Sequence, residues 1–254
     1  MSNLAARVQY NTHISYDPFR FGHEIRAQLP EPFPIVPLQM SLRELLVPIT
    51  DTDPPADVRR FLRDAERRID RFQTACRVPA FVPCDYTTAY KVLRALAGGE
   101  FTRGSRFCEW GCGFGVVVGL AAMLDFDACG IEIEGTLVDE GRQLAEDYDL
   151  PVELIHGSFV PPGAEDRVYK GGTYSWLTTE GDQAYEDLDL EISDLDVIFA
   201  YPWPDEEAVV YDLFDSYAGV GAVLATYHGS ADFRLRRKVS DRQKGPKRKK
   251  PRDR

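Results

Sequence analysis

The chain has 254 residues, 44% of them hydrophobic and 28% charged, with a formal net charge of −11. That composition is ordinary for a globular protein with a real core and excludes a disordered or fibrous chain. No apolar run approaches the roughly 20 residues of a membrane span, and MSNLAARVQYNTHISY lacks an apolar signal core, so a cytoplasmic protein with no membrane partner is expected. The charge is unevenly divided: 12 Lys/Arg against two Asp from Arg234 to Arg254 give +10, which leaves −21 on residues 1–233. Such a body repels nucleic acid, while the tail KGPKRKKPRDR is open to anionic partners.

Residues 1–55 are proline-rich (PEPFPIVP, TDPPAD) and read as an irregular arm. Over 56–75, Val58, Phe61, Leu62, Ala65, Ile69 and Phe72 recur at helical spacing between Arg and Asp, which predicts a helix packed on one face. A second helix follows, with Asp85 or Thr87 as its cap, Ala89, Tyr90, Val92, Leu93 and Leu96 as its apolar face, and Gly98–Gly99 as its stop. From there short apolar runs alternate with helices: SRFCEW, DACGIEI, PVELIHG, LDVIFAY and GAVLATYHG as strands, with helices at VVVGLAAML, TLVDEGRQLAEDY and EEAVVYDLFDSYA. Strand–helix alternation predicts an α/β fold with a doubly wound, mostly parallel sheet. Residues 160–194 interrupt the rhythm with an acidic stretch containing Trp176, a candidate substrate lid as much as a surface loop.

The five cysteines form no CxxC pair and the four histidines are scattered, so no metal site is expected. The distinctive stretch is RFCEWGCGFGVVVGL, where Gly111, Gly113 and Gly115 alternate behind Glu109. Glycines at this density let the backbone turn sharply or meet a ligand closely. Glu132 ends the next strand, 21 residues after Gly111, the place from which an acid binds both ribose hydroxyls; Glu134, in the following turn, is a second choice. Together they specify an adenosine-containing ligand. A dinucleotide site usually reads GxGxxG; here the spacing is GxGxG, with Val116 at the third place. A carboxylate beside the loop suits a partly cationic ligand. S-adenosylmethionine has a sulfonium, an ammonium and one carboxylate, which the loop amides can meet, and Glu109 is read both as partner to the cationic groups and as a support of the loop.

EWGCGFG followed by GIEIEGTLVDEGR resembles the first two motifs of the class I (seven-β-strand) S-adenosylmethionine-dependent methyltransferases, and the resemblance covers about residues 80–230. It implies a Rossmann-like fold that binds this cofactor through Glu109, Gly111, Gly113, Gly115 and Glu132. It also implies adenine contacts in HGSF, with Ser158 in place of the usual acid and Phe159 packing on the ring. DVIFAYPWP stands at the family's fourth motif, beside the transferred methyl group, which makes Tyr201 and Trp203 candidates for cation–π contact there. The motif is similar to the PWP of tRNA guanine-N7 methylases, but Asp205, Glu206 and Glu207 follow it instead of basic residues. FVPCDYTTAYKVLRAL looks like the lead-in helix of certain protein-lysine methyltransferases of this fold. His228, at the end of the fifth strand, is a candidate base.

The expected organisation is an irregular and helical N-terminal extension over 1–80, an S-adenosylmethionine-binding domain over 81–240 with the insertion at about 160–194, and a basic disordered tail over 241–254. Family members normally continue past strand five through a helix and an antiparallel hairpin. Only GSADFRLRRKV is present here, so a sheet shortened at that edge is expected, with the N-terminal residues covering the gap. The expected activity is methyl transfer to an unidentified acceptor, a protein lysine or a small molecule in preference to nucleic acid. The alternatives are an NAD-type oxidoreductase of similar architecture and a non-catalytic cofactor-binding interaction protein.

Overall fold

A computed structural model describes residues 41–168, 176–179, 181 and 184–240. Most of the proline-rich arm and the whole of the basic tail 241–254 lie outside the described residues, as does part of the insertion.

The predicted helix over 56–75 is α1, Ala56–Ala75, and it buries Val58, Phe61, Leu62, Ala65 and Ile69. Helix α2, Tyr86–Ala97, starts where Asp85 accepts the Thr88 amide at 3.0 Å and the Thr88 hydroxyl at 2.6 Å, a cap that contributes about 1 kcal/mol. The alternation then runs as read: β2 (Arg106–Trp110), α3 (Val116–Ala122), β3 (Asp127–Glu132), α4 (Gly135–Asp147), β4 (Val152–His156), β5 (Val197–Ala200), α7 (Glu207–Tyr217) and β6 (Val223–Tyr227). Two one-turn helices, α5 (Glu165–Val168) and α6 (Ala184–Asp187), lie between β4 and β5 in the insertion.

Strands β4, β3, β2, β5 and β6 are parallel neighbours, so the sheet runs outward in both directions from β2. After β6 the chain supplies one strand, β7 (Phe233–Lys238), antiparallel to β6. The edge expected to be short is completed from far upstream: β1, Leu42–Glu44, pairs antiparallel with β7 from Leu42 opposite Lys238 to Glu44 opposite Arg236. The sheet therefore has seven strands.

Apolar side chains cover both faces. Helices α1 to α4 pack on one face with Phe61, Leu93, Phe107, Phe114 and Leu137, and the insertion and α7 pack on the other with Trp110, Ile198, Leu213 and Phe214. Each such fully buried side chain contributes about 1.5–3 kcal/mol. Packing is close where β3 passes under α3. A Cβ on Gly130 would stand 2.7 Å from Val118 Cγ2 and 2.8 Å from Cys112 Cβ. Gly130→Ala should therefore cost about 1–3 kcal/mol through overpacking, seen as a lower urea midpoint at unchanged slope. Because Cys112 belongs to the glycine loop, the same variant should also weaken ligand binding at that loop.

Candidate functional site

The carboxyl ends of the parallel strands open into a cavity of about 480 Å³, within the range of small-molecule sites. The three alternating glycines adopt φ of +74°, +53° and +63°, a left-handed conformation that side chains resist. They differ in surroundings. A Cβ on Gly111 would meet nothing within 4 Å, so here bare backbone faces the cavity. A Cβ on Gly113 would strike Phe81, and one on Gly115 would strike Leu154. Gly111 and Gly113 line the cavity; Gly115 stands behind it as the N-cap of α3.

The loop is held in a way the sequence did not suggest. Gly111 and Cys112 donate their amides to Ile131 O at 2.9 and 3.1 Å, and Gly115 donates to Cys112 O at 2.7 Å. Gly113 donates to Glu132 Oε2 at 2.8 Å, while Glu134 donates its amide to Glu132 Oε1 at 3.0 Å. These four loop amides are thus occupied within the protein, which corrects the expectation that glycine-loop amides receive a ligand carboxylate. Glu132 thus supports the loop, alongside the backbone hydrogen bond that Glu109 takes from Val118 at the start of α3. Burial raises the carboxyl of Glu132 above its ordinary value, and the amides of Glu134 and Gly113 oppose the rise.

Glu109 shares a sheet face with Phe107 and is buried beneath α3. Its Oε2 has no hydrogen-bond partner among the described residues. Burial pushes its carboxyl well above the usual range, and a backbone hydrogen bond from Val118 opposes this only in part. Glu109 lines the cavity, and a buried carboxyl oxygen without a partner beside it is costly unless a donor or cation arrives there.

On the adenine side of the resemblance, Phe159 stacks on Trp110 at 5.1 Å with an interplanar angle of 3°. Ser158 donates its hydroxyl to Thr178 O at 2.7 Å and accepts the Val160 amide at 3.1 Å, so it anchors the insertion to the loop after β4. Across the cavity stand Tyr201, packed edge-on to Tyr227 at 4.6 Å, Trp203, and His228. Burial raises the Tyr201 phenol above its ordinary value, with Tyr227 and Cys84 adding to the rise. His228 Nε2 lies 2.8 Å from Thr226 Oγ1, and its Nδ1 lies 3.7 Å from Glu207 Oε2. Burial lowers the imidazole below 6.5, Glu207 and Asp232 oppose this, and Arg234 and Arg236 add to it; the ring is mainly neutral at pH 7. Tyr201, Trp203, His228, Glu109, Gly111, Gly113, Glu132, Ser158 and Phe159 thus all line one cavity.

Sequence reasoning missed Glu206. It treated the acids after Pro204 as free charge, yet Glu206 is only 4% exposed. It accepts the Trp203 amide at 3.2 Å and the Trp176 amide at 2.5 Å, joining the PWP loop to the insertion over the cavity. No local signal in the sequence marks this role, because Glu206 makes no side-chain cap bond to α7 and its partners are amides of the preceding loop and of the insertion. Trp176 itself lines the cavity and is 53% exposed.

The order of the sheet, with an antiparallel β7 beside β6 and the glycine loop at the switch point after β2, decides the architecture. The chain has a Rossmann-like fold whose seven-stranded sheet is consistent with that of methyltransferases. No family model matches the chain, and no curated protein sequence matches it. Solved structures similar to it include an RNA methyltransferase from Salinibacter ruber in complex with S-adenosyl-L-homocysteine, at 17% identity and a TM-score of 0.44, covering 63% of this chain and 95% of that one. An O-methyltransferase from Bacillus cereus, in complex with the same compound, is 14% identical with a TM-score of 0.44, over 70% of this chain and 68% of the other. A methyltransferase from Podospora anserina is 13% identical with a TM-score of 0.41, over 69% and 63%.

Neutral Glu109 stabilises the fold relative to its charged form. That contribution is complete below about pH 4.5, the unfolded value, and is lost as pH rises through the raised folded value. Glu109→Gln should remain at least as stable as the parent at pH 8 in thermal unfolding and lose less stability between pH 6 and 9. It should also lose most of its affinity for a cationic ligand of the cavity.

Proposed function

We propose that the chain is an S-adenosylmethionine-dependent methyltransferase whose acceptor is a protein or a small molecule rather than a nucleic acid. One observation carries the reading: among the described residues, the cavity lining includes five glutamates (109, 132, 134, 206 and 207) and neither lysine nor arginine. Two phosphates of a dinucleotide would meet carboxylates there without a cation, which disfavours the NAD reading. The Oε2 of Glu109, without a partner among the described residues, fits a ligand that brings positive charge. No helix among the described residues is long and apolar enough to cross a membrane. A cytoplasmic location goes with this reading and rests on the sequence alone.

Glu132, fixed by the amides of Gly113 and Glu134, keeps lone pairs for ribose hydroxyls, and Gly111 gives the cofactor a side-chain-free wall. Glu109 faces the cationic groups. Phe159, backed by Trp110, offers an aromatic face to the adenine, and Ser158 fixes the loop beside it. When bound, the cofactor supplies a methyl carbon activated by a sulfonium. The protein then has to orient the acceptor, exclude water and take up a proton. Tyr201 and Trp203 orient, Trp176 and its segment cover the cavity, and His228 is the group able to accept a proton.

Calorimetry and thermal shift with S-adenosylmethionine, S-adenosylhomocysteine and NAD in parallel test the reading. The sulfonium compound and its product should bind and NAD should not, and at 100 times the dissociation constant each should stabilise the fold by about 2.7 kcal/mol. Glu132→Ala should lose both ligands, because it removes the ribose partner and releases the Gly113 amide together. Binding of NAD alone would overturn the reading.

A further inference from the structure

Glu207 and His228 face each other beside Tyr201 and Trp203 in a manner the cofactor does not explain. Glu207 Oε1 accepts from Arg234 Nη1 at 3.0 Å, while Oε2 stands 3.7 Å from His228 Nδ1. If Nδ1 carried the proton, it would donate directly to the carboxylate and the pair would close to about 2.8 Å. The rest of the ring's surroundings fit the other tautomer. The Nε2 hydrogen is donated to Thr226 Oγ1 at 2.8 Å, Thr226 donates onward to Arg234 O at 3.5 Å, and the Tyr211 hydroxyl is 3.4 Å from Thr226 Oγ1. Thr226 is fully buried, so its hydroxyl must satisfy these groups from within. Nδ1 is then a lone pair facing a carboxylate oxygen across a gap, in a cavity lined by aromatic faces. Two acceptors side by side suit a group with several N–H donors and a positive charge.

We propose that the methyl acceptor is a primary amine that enters as its ammonium, held by Glu207 and the faces of Tyr201 and Trp203 and deprotonated by His228 Nδ1, with Thr226 fixing the tautomer. This rests on the methyltransferase reading. One ammonium N–H bond breaks and its proton passes to Nδ1, giving an imidazolium beside Glu207. The freed nitrogen lone pair forms the new bond to the methyl carbon of the sulfonium donor, and the carbon–sulfur bond breaks with its electrons left on sulfur. The nitrogen ends as a methylated ammonium, the donor as a neutral thioether, and the proton leaves from His228 to solvent. The charged groups around the ring are Glu207 from α7, and Asp232, Arg234 and Arg236 from β7 and the turn before it.

The test uses the full chain saturated with S-adenosylhomocysteine, with calorimetric titration of n-hexylamine and its neutral counterpart n-hexanol. Saturation by the thioether checks the parent reading in the same experiment. The amine should bind at least about tenfold more tightly than the alcohol, and Glu207→Gln, which can still accept from Arg234, should abolish the preference. The amine remains an ammonium across the range studied, so its affinity should fall as pH drops through the lowered His228 value, below the ordinary imidazole range, and the ring becomes positive. His228→Asn should flatten that profile. Thr226→Val should change the midpoint of the His228 imidazole titration followed by NMR, a readout that does not depend on turnover. If the thioether binds but amine and alcohol bind alike, the amine is overturned and the methyltransferase reading stands. If the preference is present but His228→Asn leaves the pH profile intact, the proton acceptor is overturned. If the thioether does not bind, both fall.

Discussion

Glu132 reaches from the end of β3 to the Gly113 amide with one oxygen and to the Glu134 amide with the other. The first bond fixes the glycine loop against the neighbouring strand, and the second fixes the turn that starts α4. Both walls of the cavity floor are thereby set by a single carboxylate that is 8% exposed. Hydrogen bonds to a charged group are stronger than neutral ones, and here they also restrain a residue proposed to grip a ribose. The side chain proposed to recognise the ligand is thus the one that shapes the loop beneath it.

Charge is sorted within the molecule. The carboxylates of Glu206 and Glu132 are occupied by backbone amides, and Glu207 is shared with Arg234. Among the described residues, Glu109 is the buried acid of the cavity with an oxygen that has no hydrogen-bond partner. The acids of the cavity therefore differ in what they hold: two hold backbone, one is paired with an arginine, and one is the group proposed to meet a ligand.

Much of this was legible in the sequence. Local signals carried it: the spacing of Val58, Phe61, Leu62, Ala65 and Ile69 gave α1, Asp85 gave the cap of α2, and the distance from Gly111 to Glu132 brought both to the switch point. What stayed hidden depends on partners distant in the chain or on backbone bonds that no residue type announces. Glu206 reads as surface charge until Trp176, 30 residues away, is brought over it. The loop amides look available until Ile131 O is seen beneath them. The hydroxyl of Ser158 looks free to donate until Thr178 O is seen to accept its proton. In each case a tertiary hydrogen bond, rather than a propensity, decides the role.

The pairing of β1 with β7 bears on how the molecule is assembled. Leu42 meets Lys238 across a separation of roughly 200 residues, so closing this edge costs more chain entropy than any other strand pair in the sheet. The strands inside it can form first, through the short strand–helix–strand connections around β2. A nearly complete sheet would then wait with β7 exposed along its outer edge, open to pairing with another chain. Strand β1 is short, and Arg43 and Glu44 are exposed on it. Once docked, it gives the molecule a charged, three-residue border in place of a longer sticky one.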